Sequence, residues 1–408
     1  MFPIHHTFAP HVTLRYCMQT LGILLRPWTW YRGNAVASLR SAIAKDLDGE
    51  VALFSSGRDA LLALLRALQL TPGAEVIIQA YTCVVVPNAV QAANGVPIYA
   101  DIDRKTLNLD PAAVKRAITH RTRAVICQHT FGIPSDIEAL RTICDEHKIL
   151  LIEDCAHIIP DRSGPEAIGK KGDAMILSFG RDKAISSISG GAALVRNEEL
   201  ADALQQEENN TIHLSWISLT KLLLYPLIYT KAKPLFGLGV GKAYLALCRA
   251  LSIMPRVVTS EEKAGKISPI LHTLPNALAT LACTQWKRRK EINDHRRRLV
   301  TVYKKAFPDV DLSDDLPLQK FPLLTQDAEE IRLELKKKNI HLDDGWAGCT
   351  ICPRNIDTDA INYIPGSAVQ ADRVGKQILS LPTHPTMSVK QAKRLIRELQ
   401  RFPSLKQQ

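Results

Sequence analysis

Two stretches of the chain decide its predicted fold: LLIEDCAHIIP at residues 150–160 and GDAMILSFGRDKAISSISGGAALV at residues 172–195. Three apolar runs in and beside them have the length and composition of buried strands: Ile149–Glu153, Ala174–Phe179 and Ala192–Val195. The first run is followed directly by Asp154, and the second carries Ser178 near its carboxyl end and is followed by Lys183. A carboxylate and an amine at the carboxyl ends of neighbouring strands lie where α/β sheets place their chemistry.

This pair of side chains suits the cofactor pyridoxal phosphate. The Lys183 amine would bind the cofactor covalently, and the Asp154 carboxylate would keep the pyridine nitrogen protonated so that the ring can withdraw electrons. The sequence therefore predicts a pyridoxal-phosphate site at this edge of the sheet.

The same stretch resembles the DegT–StrS type of sugar aminotransferases, which are fold-type I enzymes dependent on pyridoxal phosphate. The residues that carry the resemblance are EDCAH at 153–157, Gly172-Asp173, Ser178-Phe179, Lys183 and Gly190-Gly191. The similarity runs from about residue 33 to residue 197 and resumes from about residue 266 to the C-terminus. It implies an α/β fold with a large, mostly parallel-sheet domain sandwiched by helices and a smaller C-terminal α/β domain.

The resemblance also implies a phosphate cradle early in the chain. An apolar strand pattern is followed by Ser55, Ser56 and Gly57 and then by a helix pattern, an arrangement in which backbone N–H groups face an anion. Relatives usually read S-G-T-A here, so Arg58 and Asp59 are departures from the pattern. We expect Ser56, Gly57, Arg58 and Asp59 to border the phosphate together with Ser178, although Asp59 should point away from a dianion.

Two further residues complete the predicted site. Cys83 stands where relatives commonly place an aromatic residue over the pyridine ring, and His157 is expected beside the ring and its 3′-oxygen. The predicted catalytic residues are Lys183, Asp154 and His157, and no metal ion is expected.

The activity that the resemblance implies is transfer of an amino group from glutamate or glutamine to a keto-sugar, nucleotide-linked in the leading hypothesis, in polysaccharide or amino-sugar biosynthesis. A homodimer is expected, since family members complete the site from a second subunit. Departures at Arg58, Asp59, Cys83 and Leu271 keep open a non-catalytic or regulatory protein that binds the cofactor. Related dehydratases carry histidine where Lys183 stands, and no G-x-G-x-x-G motif of a dinucleotide-binding protein follows the first strand.

The chain of 408 residues, 46% of them hydrophobic, is long enough for two cores. Strand and helix patterns alternate from Val51 to Val195, which predicts a largely parallel sheet. We divide the sequence into an N-terminal arm (1–32), a large cofactor-binding domain (33–210), an apolar insertion (211–258) and a small domain (259–408).

The formal net charge of +11 favours acidic partners, but no nucleic-acid motif accompanies it, so none is expected. Nine cysteines without a disulfide-type framework predict reduced thiols in the cytoplasm. Cys349 and Cys352 form a lone CxxC pair, which is a weak signal for metal or redox chemistry. His129 and His384 are expected to be core histidines. A single long helix with a solvated basic face is predicted for Leu274–Arg298.

The insertion departs from the family. Its apolar runs Leu222–Tyr229 and Tyr244–Ile253 are too short to span a bilayer and are punctuated by cations. They are typical either of helices buried at a subunit interface or of amphipathic helices on a membrane surface. The N-terminal segment Leu21–Tyr31 has the same character, and the sequence leaves both alternatives open.

Overall fold

The computed structural model describes residues 3–161 and 168–405. It is a mixed α/β protein, as predicted. Its strands are β1 (Ile4–His5), β2 (Glu50–Phe54), β3 (Glu75–Gln79), β4 (Thr82–Cys83), β5 (Val96–Ala100), β6 (Thr122–Gln128), β7 (Leu150–Asp154), β8 (Ala174–Ser178), β9 (Gly191–Val195), β10 (Lys320–Leu324), β11 (Ile340–His341), β12 (Ile351–Cys352) and β13 (Ile378–Pro382).

The helices surround these strands. They are α1 (Leu14–Leu24), α2 (Ala35–Leu47), α3 (Gly57–Ala67), α4 (Val85–Ala92), α5 (Pro111–Ala117), α6 (Ile137–His147), α7 (Glu198–Asn209), α8 (Trp216–Ala232), α9 (Val240–Ala250), α10 (Ser260–Lys263), α11 (Asn276–Lys287), α12 (Arg289–Ala306), α13 (Ala328–Lys337), α14 (Val369–Gln377) and α15 (Val389–Leu399). Several begin at side-chain caps that the sequence shows, such as Asp110 before Pro111 and Ser56 before Gly57.

Seven strands form the central sheet in the order β2-β9-β8-β7-β6-β3-β5. Every neighbouring pair is parallel except the two that involve β9, which runs antiparallel to both β8 and β2. The predicted mostly parallel sheet is therefore confirmed. Helices cover both of its faces, because apolar side chains alternate to either side of the buried strands.

The C-terminal part is built around the antiparallel pair β10–β13. Two short parallel pairings attach it to the rest of the chain. Strand β1 of the N-terminal arm pairs with β11, and β12 pairs with β4, which sets Cys352 opposite Cys83. All nine cysteines are free thiols.

The helix predicted for Leu274–Arg298 is wrong in two respects. The structure has two helices there, α11 and α12, which meet at Arg288. The face is also not uniformly solvated, since Arg296 is buried and Arg297 forms a bidentate pair with Asp161. A run of basic residues predicts a solvent-facing helix, but tertiary packing buries part of this run.

The insertion forms α8 and α9, and α8 packs against α1 of the arm. Within the described ranges, no helix is both long enough and apolar enough to cross a membrane.

Candidate active site

The direction of the strands brings the predicted residues together. Strands β2, β6, β7 and β8 run the same way, so their carboxyl ends meet at one edge of the sheet. Asp154 ends β7, Ser178 ends β8, His129 follows β6, and Ser55 follows β2. This edge is where a parallel sheet exposes the ends of its strands to a ligand.

Asp154 lies at the centre of the edge and is buried. Its Oδ1 accepts a hydrogen bond from the Ala156 N–H at 2.9 Å, and none of the described residues donates to Oδ2. Burial raises the pKa of Asp154, while the Ala156 hydrogen bond and the positive charge of Lys183 oppose that rise. The carboxylate therefore has one oxygen fixed by the backbone and one available to a cationic or N–H ligand.

His157 is held as a neutral ring. Its Nδ1 accepts the backbone N–H of Phe131 at 3.2 Å, so the neutral ring carries its proton on Nε2. Burial, with the nearby charges of Lys183 and Lys320, lowers the pKa of His157 well below its usual value. The ring packs edge-on against Trp346 at 4.8 Å. The imidazole can therefore donate one hydrogen bond without carrying a charge.

Lys183 is half-buried in the loop after β8. Its charge acts on the pKa values of Asp154, His157 and Cys83, which identifies it as a shared neighbour of the three groups. The predicted amine, carboxylate and imidazole are thus gathered at one place.

The turn after β2 approaches β8 closely. Gly57 is the first residue of α3, and Ser56 caps that helix by accepting the Asp59 N–H at 3.1 Å. A Cβ added to Gly57 would lie 2.6 Å from Ser178 Oγ, and one added to Gly191 would lie 2.5 Å from Gly57 Cα. The turn can take this position only because both residues are glycines. It sets the N-terminus of an eleven-residue helix beside a serine hydroxyl, which is an arrangement suited to a phosphate group.

Three of the predicted cofactor contacts are engaged elsewhere or only border the site. The guanidinium of Arg58 pairs with Glu262 and donates to the Val257 carbonyl. This ion pair argues against the predicted role of Arg58 as a phosphate ligand. Asp59 accepts a hydrogen bond from the Ser55 hydroxyl at 2.9 Å, and burial raises its pKa. Cys83 is partly buried, and burial also raises the pKa of its thiol.

Glu153, next to Asp154, has a structural role. Its two carboxylate oxygens accept backbone N–H groups from Gly169, Lys171 and Gly172, and Oε2 also pairs with His129 at 3.1 Å. Burial works to raise the pKa of Glu153, but these hydrogen bonds outweigh it and lower that pKa. His129, Glu153 and Cys155 lie close enough to hold a metal ion, yet the backbone already occupies the carboxylate.

Sequence reasoning missed the residues that fix the Lys183 loop. The His11 ring bonds to the Lys183 carbonyl at 2.7 Å, the Tyr16 hydroxyl donates to the Ser186 carbonyl at 3.1 Å, and Gln319 donates to the Asp182 carbonyl. Each of these three residues is more than 130 residues away from its loop partner in the sequence, so no local sequence pattern indicates the contact. His384, expected to be a core histidine, is buried and bonds to the His5 carbonyl at 2.9 Å, which holds the arm.

The residues present fit pyridoxal phosphate. The edge offers an amine for covalent attachment, a carboxylate oxygen for the pyridine N–H, a neutral imidazole donor and a glycine-lined helix N-terminus for the phosphate. These are the four kinds of contact that the cofactor needs.

Comparison with known proteins agrees with this geometry. The sequence profile of the DegT/DnrJ/EryC1/StrS aminotransferase family matches residues 18–215. The chain is 32% identical over 186 residues to GDP-perosamine synthase of Vibrio cholerae, covering 45% of this chain and 51% of that protein. It is 39% identical over 147 residues to L-glutamine:2-deoxy-scyllo-inosose aminotransferase of Micromonospora echinospora, covering 36% of this chain and 35% of that protein.

The chain matches about half the length, or less, of these curated relatives. The fold similarity extends further. The crystal structure of NtdA from Bacillus subtilis with bound cofactor PMP superposes with a TM-score of 0.73 at 23% identity, over 96% of this chain and 82% of that one. The motif at the sheet edge and the matched profile agree: residues 18–215 of the chain match the DegT/DnrJ/EryC1/StrS aminotransferase family.

Proposed function

We propose that this protein is a pyridoxal-phosphate-dependent aminotransferase that moves an amino group from glutamate or glutamine to a keto-sugar, with a nucleotide-linked sugar as the leading candidate. The observation that carries the proposal is the grouping of Lys183, Asp154 and His157 with the Gly57–Ser178 cradle at one sheet edge. The family match and the sugar-processing relatives support it.

In this proposal each residue has a defined task. Lys183 would attach the cofactor and, when freed, would carry a proton on Nζ. Asp154 would accept a hydrogen bond at Oδ2 from the pyridine nitrogen, and His157 would donate one from Nε2 to the ring oxygen. Ser178, Ser56 and the backbone of Gly57 would hold the phosphate. When bound, pyridoxal phosphate supplies an electron sink for negative charge at the α-carbon of the amino donor.

Desolvation supports these tasks. Burial raises the pKa of Asp154, so the carboxylate gains from a cationic partner, which restores its charged form. The low pKa of His157 keeps the ring neutral at neutral pH, and the Phe131 N–H on Nδ1 leaves the ring proton on Nε2 as a donor. The backbone bonds that fix Asp154 Oδ1 and His157 Nδ1 pre-orient both groups.

The first experiment tests cofactor attachment. Purified protein with added pyridoxal phosphate should develop a visible absorption band, and borohydride should fix the cofactor on the peptide that contains Lys183. Lys183→Ala should lose both signals while remaining folded. A wild-type protein that stays colourless and unlabelled would rule out the proposal.

The second experiment separates an enzyme from a cofactor-binding regulator. Glutamate or glutamine should convert the bound cofactor to its aminated form, which has a different absorption maximum. A protein that binds the cofactor but shows no conversion with any amino donor would fit the regulatory alternative. That alternative draws support from a relative that is 33% identical over 168 residues, the pleiotropic regulatory protein of Geobacillus stearothermophilus.

The proposal includes a homodimer, by analogy with the family. Light scattering on the purified protein measures its mass directly. A stable monomer that is fully active would contradict this part of the proposal.

A further inference from the structure

The net positive charge of the chain is concentrated in two segments. Residues 1–45 contain five lysines and arginines, and residues 211–260 contain six, but neither segment contains an aspartate or a glutamate. These eleven cations equal the formal net charge of +11. The rest of the chain is therefore balanced, and the whole excess lies in the N-terminal arm with most of α2 and in the insertion. One of these cations, Arg40 of α2, is paired with Glu208.

The structure packs helices α1, α8 and α9 of these segments into one unit. Helix α1 lies along α8, with Cys17 Sγ 3.0 Å from Thr230 Oγ1 at one end. At the other end the rings of Trp30 and Trp216 are 5.0 Å apart. Helix α9 packs on the C-terminal half of α8 through a small core that includes Ile228 and Leu245.

The unit exposes several large apolar side chains. Leu14, Met18, Leu21 and Leu25 recur at helical spacing along α1, and all four are exposed, Leu14 by 77% and Leu25 by 68%. We call these four residues the α1 stripe. Around α9, Leu238, Leu247 and Leu251 are exposed as well. Large apolar side chains exposed in this number on neighbouring helices favour an interaction surface over ordinary solvent-facing helices.

From this combination we propose that the unit of α1, α8 and α9 docks on the surface of an anionic lipid bilayer. Apolar side chains would enter the acyl boundary, and the surrounding cations, among them Lys231 and Lys242, would contact the headgroups. This is the geometry of amphipathic helices that lie in a membrane surface.

Charge selects the bilayer over a second copy of the chain. An interface between two identical unit surfaces would bring cations against cations, with no acidic residue in either segment to pair with them. An anionic headgroup layer supplies the missing negative charge over the whole area.

The unit also contacts the Lys183 loop. The Arg181 guanidinium lies 4.5 Å above the Tyr225 ring of α8, and Arg181 donates to the Pro255 carbonyl at 3.1 Å. Docking does not depend on the proposed enzymatic function, but it would hold the sheet edge near the membrane surface.

Flotation with vesicles tests the proposal. At low salt, the full-length protein should float with phosphatidylcholine vesicles that contain phosphatidylglycerol, and stay at the bottom with phosphatidylcholine alone. High salt should reduce flotation, because the headgroup contacts are screened. A protein that stays at the bottom with anionic vesicles, or that floats equally with both kinds, overturns the assignment.

Matched variants locate the surface. Leu14→Gln with Leu25→Gln, and separately Lys231→Glu with Lys242→Glu, should each lower the partition coefficient roughly tenfold or more. The controls make the same changes at exposed residues of the small domain: Leu333→Gln with Ile364→Gln, and Lys390→Glu with Lys393→Glu. They should leave binding unchanged, with folding checked by circular dichroism and mass by light scattering. Stripe variants that disrupt a dimer but keep full vesicle binding would show that the stripe is a subunit interface, and would overturn the proposal.

Discussion

The carboxyl edge of the central sheet and the surface of α1, α8 and α9 differ in how their polar and charged groups are placed. At the edge, polar groups are buried and partnered: Asp154 is fixed by the Ala156 amide, His157 by the Phe131 amide and Glu153 by several backbone donors. On the α1 stripe and around α9, leucines are exposed, and the cations of the two segments have no acidic residues of their own.

This difference shows what each region is built to meet. A pre-organised pocket holds its groups in one geometry before a small ligand arrives, which keeps the reorganisation cost low. A surface that meets a fluid bilayer needs no such geometry, only apolar area and charge of one sign.

The largest effect is expected from Lys183→Ala. Removing the amine deletes both the attachment point and the proton carrier, so the rate of amino transfer should fall by about 10³-fold or more. Steady-state kinetics with a candidate keto-sugar and spectroscopic titration of the cofactor measure the two losses. Vesicle binding is the internal control and should not change. A variant that retains more than a tenth of the wild-type rate would mean that Lys183 is not the catalytic amine.

The second prediction concerns His6, in the arm that runs between the two regions. His6 is buried with no hydrogen-bond partner for Nε2 among the described residues. Burial lowers its pKa to about 4; Asp344 and Asp182 oppose this shift, and Lys320 adds to it. Because the folded pKa lies below the unfolded value of 6.5, the stabilisation is present above pH 6.5 and is lost as the pH falls toward 4.

Between about pH 7 and pH 4.5, this titration should cost on the order of 2–3 kcal/mol of unfolding free energy. Urea denaturation at a series of pH values measures it. His6→Asn should make the curve shallower over the same interval, whatever its stability at neutral pH. Parallel curves for the two proteins would show that His6 does not titrate on unfolding.

The third prediction compares two glycines, one in each region. In Gly57→Ala the new Cβ would press on Ser178, so the cradle must open, and cofactor affinity should fall roughly tenfold, equivalent to about 1.4 kcal/mol. Gly22, in α1, has no atom within 4 Å of the position that a Cβ would take. Gly22→Ala should leave cofactor affinity unchanged and raise stability by roughly 0.5–1 kcal/mol. Fluorescence titration with pyridoxal phosphate measures the first effect and thermal melting the second. Equal cofactor affinities in the two variants would show that the Gly57 turn does not hold the phosphate.

The sheet edge was largely predictable from sequence because its parts are local. The strand periods around Asp154 and Ser178, and the cap at Ser56, are visible within short windows, and a parallel sheet brings strand ends together. The engagement of Arg58 by Glu262 was not predictable, because the partner lies 204 residues away. The burial of Arg296 was not predictable for the same reason: a local pattern of basic residues does not show which distant parts of the chain pack against the helix. Between the two alternatives for the insertion, a packing element and a membrane surface, only the structure showed which leucines are exposed.

The smallest effect is expected where the two regions join, at Tyr16. This side chain of α1 is buried, and its hydroxyl donates to the carbonyl of Ser186 in the Lys183 loop. Tyr16→Phe leaves that buried carbonyl without its donor, which should cost about 1 kcal/mol. The loss should fall mainly on the loop, since the phenyl ring keeps its packing in the core.

Trypsin cleavage measures the local opening of the loop, because Arg181 and Lys183 are cleavage sites within it. If the loop opens more easily by about 1 kcal/mol, native-state cleavage there should become roughly fivefold faster. Thr20→Val is the matched control: Thr20 is also buried in α1, but its hydroxyl bonds to the Tyr16 carbonyl within the same helix. It should leave loop cleavage unchanged, and both variants should bind anionic vesicles like wild type, because neither side chain reaches the α1 stripe. Faster cleavage in both would mean that α1 supports the loop through helix stability alone, and not through the Tyr16 hydroxyl.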